Sequence, residues 1–142
     1  MISSVTQVRV RYADTDQMKY VYYSKYLEYF EQGRSDLLRQ VGMPYPEIES
    51  MGYFLPVVEA YAKYRQPARY DELLEVKTIL REIPAARIRI EYEVYRSGDS
   101  TLIAEGHTVH SIVNTVTGKP VRAPLAFVEA LTAAFKSDDK PH

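Results

Sequence analysis

The chain has 142 residues, the usual length of one domain, and we expect residues 1–142 to form a single domain. Its 18 Lys and Arg residues nearly balance 19 Asp and Glu residues, and a net charge of −1 excludes the broad basic field that nucleic-acid binding requires. The absence of cysteine excludes disulfides, thiolate metal sites and a cysteine nucleophile.

The sequence shows no signal for export or for a membrane. Its first five residues lack the charged and apolar regions of a signal peptide. No apolar run approaches the roughly 18 residues that a membrane-spanning helix needs. We therefore expect a cytoplasmic protein with no membrane span.

The first two predicted elements are a strand and a long helix. In residues 6–12, Val8, Val10 and Tyr12 alternate with polar residues, the period of a half-buried strand. From about Ser24 the apolar spacing changes to three, four or seven, which predicts a helix of about 17 residues that ends before Gly42. The apolar stripe of this helix consists of Tyr22, Tyr26, Tyr29, Phe30, Leu37, Leu38 and Val41.

A glycine lies in the middle of the predicted helix. Gly33 costs about 1 kcal/mol relative to alanine at such a position. We interpret it as a place where another part of the chain comes close, which predicts a central helix.

Four further strands are predicted after the helix, at about residues 54–64, 73–81, 86–96 and 101–114. A short helical stretch is expected at 46–51, a terminal helix at 125–135 and a frayed tail at 136–142. The short connections favour antiparallel pairing. The predicted fold is therefore α+β, with one long helix on a five-stranded, mostly antiparallel sheet. Such a sheet leaves edges exposed, so we expect a homodimer or a dimer of dimers.

The densest group of polar residues lies between the first strand and the helix. Asp14 and Asp16 precede the helix start, where unpaired N–H groups and a partial positive charge can hold an oxyanion. A carboxylate beside such donors suits acyl transfer, because it can attack a carbonyl or activate water. The spacing is also explained if the two aspartates simply cap the turn and the helix.

Other motifs are weak or missing. His107 and His110 lie three apart on a predicted strand, so they face opposite sides, and we expect no metal site there. No glycine-rich phosphate loop and no Gly-x-Ser-x-Gly motif occurs. The aromatic residues at helical spacing favour core packing.

The segment Tyr12-x-Asp14-Thr15-Asp16, followed by Val21-Tyr22-Tyr23-x-x-Tyr26-Leu27-x-Tyr29-Phe30-Glu31-x-x-Arg34, resembles the opening signature of the 4-hydroxybenzoyl-CoA thioesterase-like hotdog proteins, especially the YbgC-type acyl-CoA thioesterases. The likeness continues through Leu55-Pro56-Val57-Val58, through Tyr64-x-x-Pro67-Ala68-x-x-Asp71-x-Leu73 and into Gly118-Lys119-Pro120. It covers about residues 6–128 and implies a hotdog fold, in which a curled sheet wraps a long central helix.

The resemblance implies roles for particular residues. Asp16 matches the catalytic carboxylate, which acts as nucleophile or general base, and Tyr23 falls where a backbone N–H polarises the thioester carbonyl. Asp14 matches a position that shapes the turn. Substrate-binding residues are expected at Tyr20, Tyr22, Val57 and Val58, with the valines on a strand that a second chain supplies.

The chain departs from the family pattern at two places. Tyr23 stands where many members have a histidine, which leaves a backbone donor but removes a side-chain proton relay. Met18 and Lys19 stand where the family usually has glycine, so a positive φ there would be less favourable.

The implied function is hydrolysis of an acyl-CoA or acyl-carrier thioester to acid and thiol, with the thioester as substrate and no cofactor. A hotdog hydratase or dehydratase and a non-catalytic acyl-thioester binding or scaffold protein are the alternatives. Several cations are either contacts for coenzyme A phosphates or members of solvated strand faces; they are Lys63, Arg65, Arg69, Arg87 and Arg89.

Overall fold

The computed structural model describes residues 1–138, and residues 139–142 of the predicted tail lie outside them. The strands are β1 (Ile2–Arg9), β2 (Tyr53–Phe54), β3 (Val57–Tyr64), β4 (Leu73–Leu80), β5 (Arg87–Arg96), β6 (Leu102–Ser111) and β7 (Val113–Asn114). Five of them form one sheet in the order β1-β4-β5-β6-β3, and every neighbouring pair in it is antiparallel. Strands β2 and β7 form a separate two-stranded ribbon.

The helices are α1 (Lys25–Gln40), α2 (Tyr45–Ser50) and α3 (Leu125–Asp138). Helix α1 has 16 residues and packs its apolar stripe on the sheet, where it contacts β1, β4, β3 and β5. Its buried residues are Tyr26, Tyr29, Phe30, Gly33, Leu37 and Leu38. The predicted α+β arrangement, one long helix on a five-stranded antiparallel sheet, is therefore confirmed.

Alternation along the central strands explains why only one face of the sheet is apolar. In β5 the side chains of Ile88, Ile90 and Tyr92 are buried, whereas Arg87 and Arg89 are exposed on the other face. The period of two in the sequence becomes a two-faced sheet because successive side chains point to opposite sides. Helix α1 covers the apolar face.

The glycine in α1 marks a close approach between helix and sheet, as predicted. A Cβ atom added to Gly33 would overlap Thr78 Oγ1 and would lie 3.0 Å from Val76 Cγ1. Both residues belong to β4 and are completely buried. Gly33 therefore sets the distance at which α1 can lie on the sheet.

Replacing Gly33 by alanine is expected to destabilise the protein by about 1–3 kcal/mol, because the added methyl overpacks a rigid contact. Helix propensity alone would change stability in the opposite direction, by about 1 kcal/mol. Urea unfolding monitored by circular dichroism measures the difference. The exposed neighbour Gln32→Ala is the control, and the double variant Gly33→Ala, Thr78→Ala should recover part of the loss. A stabilised Gly33→Ala protein would contradict the close approach.

The boundaries of the first strand differ from the prediction. Strand β1 covers residues 2–9 rather than 6–12, and Tyr12 is 70% exposed in a short 3-10 turn, Tyr12–Asp14. The reason is local, because the Asp14 carboxylate accepts a hydrogen bond from the Arg11 backbone N–H at 3.0 Å. This bond draws the chain into a turn before the alternating pattern ends.

Other segments also end at different residues. The predicted strand 54–64 is broken after Phe54, where Pro56 has no backbone N–H to donate. The strand predicted at 101–114 is split between β6 and β7. Helix α3 extends to Asp138, so residues 136–138 are helical and not part of a frayed tail. Tyr22 precedes α1 and is exposed, in contrast to its predicted place in the apolar stripe.

Strand β3 is exposed on both faces. It is the last strand of the sheet, and every residue in it except Ala62 is exposed. Apolar and aromatic side chains contribute much of this surface, with Val57 45%, Val58 50%, Tyr61 49% and Tyr64 49% exposed. An edge strand with this composition is an open template for pairing with another strand.

Candidate functional site

A tight hairpin lies immediately before α1 and carries the candidate catalytic residues. Thr15 pairs with Val21, and the Tyr22 N–H donates to the Asp14 carbonyl at 2.8 Å. At the tip, the Asp16 N–H donates to the Tyr20 carbonyl at 2.8 Å. The hairpin therefore fixes residues 14–16 beside the chain that leads into the helix.

The two carboxylate oxygens of Asp16 differ in their hydrogen bonding. Its Oδ1 atom accepts hydrogen bonds from the N–H groups of Met18, at 2.8 Å, and Tyr20, at 3.2 Å. Its Oδ2 atom accepts none from residues 1–138, and the side chain is half-buried. One oxygen of Asp16 therefore caps the turn, and the other is available to react with a substrate or with water.

The hairpin tip requires a left-handed residue. Lys19 has φ +66, a region that non-glycine residues rarely adopt. Lys19 stands where the family usually has glycine, and the backbone at Lys19 nevertheless has a positive φ. The turn therefore depends on the hydrogen bonds of Asp16 rather than on a favourable residue at position 19.

Asp14 is a structural carboxylate. It is 2% exposed and accepts hydrogen bonds from the Arg11 N–H, the Arg11 guanidinium and the Tyr29 hydroxyl at 3.0 to 3.1 Å. Burial acts to raise the pKa of Asp14, but these hydrogen bonds and the Arg11 charge together lower it below its ordinary value of 3.8. Burial, together with the hydrogen bond to Asp14, raises the pKa of Tyr29 far above its ordinary value. Asp14 is therefore ionised and fully occupied in holding the turn on α1.

The lowered pKa of Asp14 predicts part of the acid sensitivity of the fold. A group whose pKa falls on folding stabilises the protein above its unfolded pKa, and this stabilisation is lost as the pH drops through the folded pKa. We expect Asp14→Asn to cost about 1–3 kcal/mol at pH 7. Urea unfolding at a series of pH values should show the gap between wild type and variant closing below about 3.8. A gap that is independent of pH would contradict this role.

The backbone N–H of Tyr23 is the candidate oxyanion donor. Neither it nor the N–H of Ser24 donates a hydrogen bond to residues 1–138. The hairpin register places Tyr23 opposite Ala13, three residues before Asp16. An unpaired amide and a carboxylate with a free oxygen therefore lie on the same small hairpin.

Tyrosine rings form a shallow concavity beside this amide. It is lined by Tyr20, Val21, Tyr23, Tyr26, Tyr64, Arg65, Gln66 and Pro67. The Tyr64 hydroxyl donates to the Tyr23 carbonyl at 3.3 Å, and Arg69 lies over the Tyr20 ring. The predicted residues Tyr20 and Tyr23 are thus brought together. The contribution of Tyr64 was missed, since it arrives from the far end of β3, 41 residues along the chain.

The structure does not bring all predicted site residues together within one chain. Val57 and Val58 lie at the beginning of β3, whereas Tyr64, beside Tyr23, lies at its end. Six residues of extended strand separate Val58 from Tyr64, roughly 20 Å. Asp16 and Tyr22 do not line the tyrosine concavity. Within one chain the two valines therefore lie away from the hairpin.

The two histidines lie on opposite faces of β6, as predicted. His110 is buried in the core, while His107 pairs with Glu59 at 2.7 Å and stacks on Tyr61 on the outer face. Among the candidate cations, Arg65 binds Glu105 and Arg89 lies 3.3 Å from His107. These two therefore have partners within the chain.

One long helix packed on a five-stranded antiparallel sheet is the arrangement of the hotdog thioesterases. The chain belongs to the Thioesterase-like superfamily, whose family model matches residues 10–134. As a member of this family it is a thioester hydrolase.

Individual proteins agree with this assignment over nearly the whole chain. Acyl-CoA thioesterase YbgC of Haemophilus influenzae is 33% identical over 129 residues, 90% of each chain. A hypothetical protein of Thermus thermophilus has a crystal structure that matches at a TM-score of 0.85 with 41% identity, covering 92% of this chain and 98% of the other. The DHNA-CoA thioesterase of Staphylococcus aureus matches at a TM-score of 0.88 with 28% identity, covering 100% and 98%.

None of the helices in residues 1–138 is long and apolar enough to cross a membrane.

Proposed function

We propose that the protein hydrolyses an acyl-CoA to the free acid and coenzyme A, with Asp16 as the catalytic carboxylate and the Tyr23 N–H as the oxyanion donor. The observation that supports this most is that one hairpin carries both an Asp16 oxygen and a Tyr23 N–H that have no hydrogen-bond partner among residues 1–138. The names of YbgC and DHNA-CoA thioesterase support a coenzyme A thioester as the substrate. A cytoplasmic location stays a prediction.

The amide acts on the carbonyl oxygen of the thioester. As the carbonyl carbon becomes tetrahedral, negative charge grows on that oxygen, and a fixed N–H stabilises it. Removing one such donor in other enzymes costs about 100- to 1000-fold in rate. The free N–H of Ser24 is next to it and adds to the positive end of α1.

Two routes are open to Asp16. As a nucleophile, its free oxygen bonds to the carbonyl carbon, the C–S bond breaks with release of the thiolate, and water hydrolyses the resulting anhydride. As a general base, it takes a proton from water while the water oxygen bonds to the carbonyl carbon; the C–S bond then breaks, and the departing sulfur takes up the proton as the thiol. Both routes use only the carboxylate, water and the amide, and neither needs a cofactor. Mass spectrometry of acid-quenched enzyme separates them, because only the first adds an acyl group to the chain.

We propose that two chains pair through β3 and complete the site. Antiparallel pairing of two copies of β3 places the Val57 end of one next to the Tyr64 end of the other. Val57 and Val58 would then flank the partner's tyrosine concavity, which they cannot reach within one chain. The exposed faces of β3 support this pairing. A further association of two dimers stays a prediction.

Thiol release from a panel of short, long and aromatic acyl-CoAs, and from an acyl-carrier thioester, tests the function. We expect turnover of at least one coenzyme A thioester. No turnover on any thioester, together with measurable binding, would favour the alternative of a binding protein. Addition of water to an enoyl-CoA without thiol release would favour a hydratase.

A further inference from the structure

A second cavity lies apart from the hairpin, between the C-terminal half of α1, the sheet and α3. Its volume is about 250 Å3, and most of its wall is apolar, including Leu38, Ile88, Ile90 and Phe127. Neither Asp16 nor the tyrosines of the hairpin line it. Pockets for drug-sized ligands have about 300–1,000 Å3, so this one suits a smaller molecule.

One charged side chain of the cavity wall has no counterion among residues 1–138. Arg34 is half-buried, and no carboxylate of residues 1–138 lies within 4.0 Å of its guanidinium. Glu31, one turn away, also lines the cavity; it is exposed and lies more than 4.0 Å from the Arg34 guanidinium. A guanidinium has five donors and a permanent charge, and leaving them unpaired beside apolar walls is unfavourable.

The polar groups next to Arg34 are already paired with one another. The His110 Nδ1–H donates to the Leu55 carbonyl at 3.0 Å, which leaves Nε2 as the acceptor. Burial lowers the pKa of His110, so the ring is neutral at pH 7. Thr108 then donates to Nε2 at 2.9 Å, and Tyr92 donates to Thr108 at 2.7 Å.

This chain of hydrogen bonds has a fixed direction. Tyr92 donates its hydroxyl proton to Thr108, so the Tyr92 oxygen can only accept a further hydrogen bond. Arg34 lies close to this oxygen. Its positive charge opposes the rise that burial causes in the pKa of Tyr92. Arg34 also lowers the pKa of His110, but both ring nitrogens of His110 are already paired, so Tyr92 is the neighbour that can accept a hydrogen bond from Arg34, and it uses one of the five donors. The others are available for an anion inside the cavity.

We propose that this cavity binds a small organic carboxylate, whose apolar body lies against Ile88, Ile90 and Phe127 and whose carboxylate pairs with Arg34. A planar carboxylate matches the fork of donors on the guanidinium. The site is a feature of one chain, and its existence does not depend on the hydrolysis proposed for Asp16. The acid can be the product of thioester hydrolysis or an unrelated effector.

Isothermal titration calorimetry of the full chain with benzoate and octanoate tests the site. We expect both acids to bind, and benzamide and octanol, which lack the charge, to bind at least about tenfold more weakly. Arg34→Gln should weaken binding of both acids by about 10- to 100-fold. Arg34→Lys, which keeps the charge but not the fork, should fall between.

Arg39→Gln is the matched control, because Arg39 lies on the same helix, pairs with Asp36 and does not line the cavity. Thermal melting of each variant verifies that it is folded. Absence of binding by wild type, or equal binding by wild type and Arg34→Gln, would overturn the site.

The type of inhibition that the same acids cause in thioester hydrolysis shows whether the bound acid is a product of the reaction or an unrelated effector. Competitive inhibition against the acyl-CoA identifies the acid as a product that overlaps the acyl group, and noncompetitive inhibition identifies a separate effector. Either pattern supports the site if Arg34→Gln abolishes it. Because calorimetry does not require turnover, a failure of the proposed hydrolysis would be seen separately from a failure of this site.

Discussion

Asp16→Asn is expected to lower kcat/KM for acyl-CoA hydrolysis by about 100- to 10,000-fold, the usual contribution of a positioned acid or base. This substitution should change the reactivity of residue 16 without disturbing the fold of the hairpin. An asparagine oxygen can still accept the hydrogen bonds from Met18 and Tyr20 that close the turn. Only the charge and the nucleophilicity of the free oxygen are lost. Steady-state thiol release, with thermal melting to confirm folding, measures the effect.

Asp99→Asn is the matched control for this experiment. The Oδ1 of Asp99 likewise accepts a backbone N–H, from Thr101 at 3.0 Å, but Asp99 is more exposed than Asp16, pairs with Arg96 and lies in the loop between β5 and β6. Its substitution should leave turnover unchanged. If Asp16→Asn retains wild-type turnover, the carboxylate serves the turn alone, and the catalytic role proposed for it is wrong.

The helix and the sheet were predictable because their patterns are local. The spacing of Tyr26, Tyr29 and Phe30 specifies a buried helix face, and the alternation of Ile88 and Ile90 specifies a strand with one buried face. The role of Gly33 was also predictable, since a helix interior tolerates glycine only at a cost. In these cases the residues that determine the structure are near one another in the sequence.

The arrangement of the site was less predictable because it depends on distant contacts. Asp14 is held by the hydroxyl of Tyr29, 15 residues along the chain. His110 is fixed by the carbonyl of Leu55, and Tyr64 reaches Tyr23 from the end of β3. The unpaired state of Arg34 depends on which carboxylates the fold places elsewhere. No spacing rule contains this information.

The direction of the backbone groups on β3 gives a test for the proposed dimer. The Arg65 N–H donates to the Ile103 carbonyl at 2.8 Å, and inward and outward residues alternate along an antiparallel strand. The N–H groups of Ala60 and Ala62 therefore point to the open edge. Ala60→Pro removes no hydrogen bond within residues 1–138 but removes one that a paired β3 would need.

We expect Ala60→Pro to convert the dimer to a monomer in sedimentation experiments and to lower kcat/KM at least about tenfold, because the monomer lacks the partner's valines beside Tyr64.

The other edge of the sheet supplies the control. The Val10 N–H donates to the Glu72 carbonyl at 2.9 Å, so by the same alternation the N–H of exposed Val5 points outward from β1. On that edge the Ser3 carbonyl already accepts a hydrogen bond from Gln40. Val5→Pro should leave both the dimer and the turnover intact. If the dimer is lost in Val5→Pro but kept in Ala60→Pro, the interface lies at β1, and Val57 and Val58 are not part of the site.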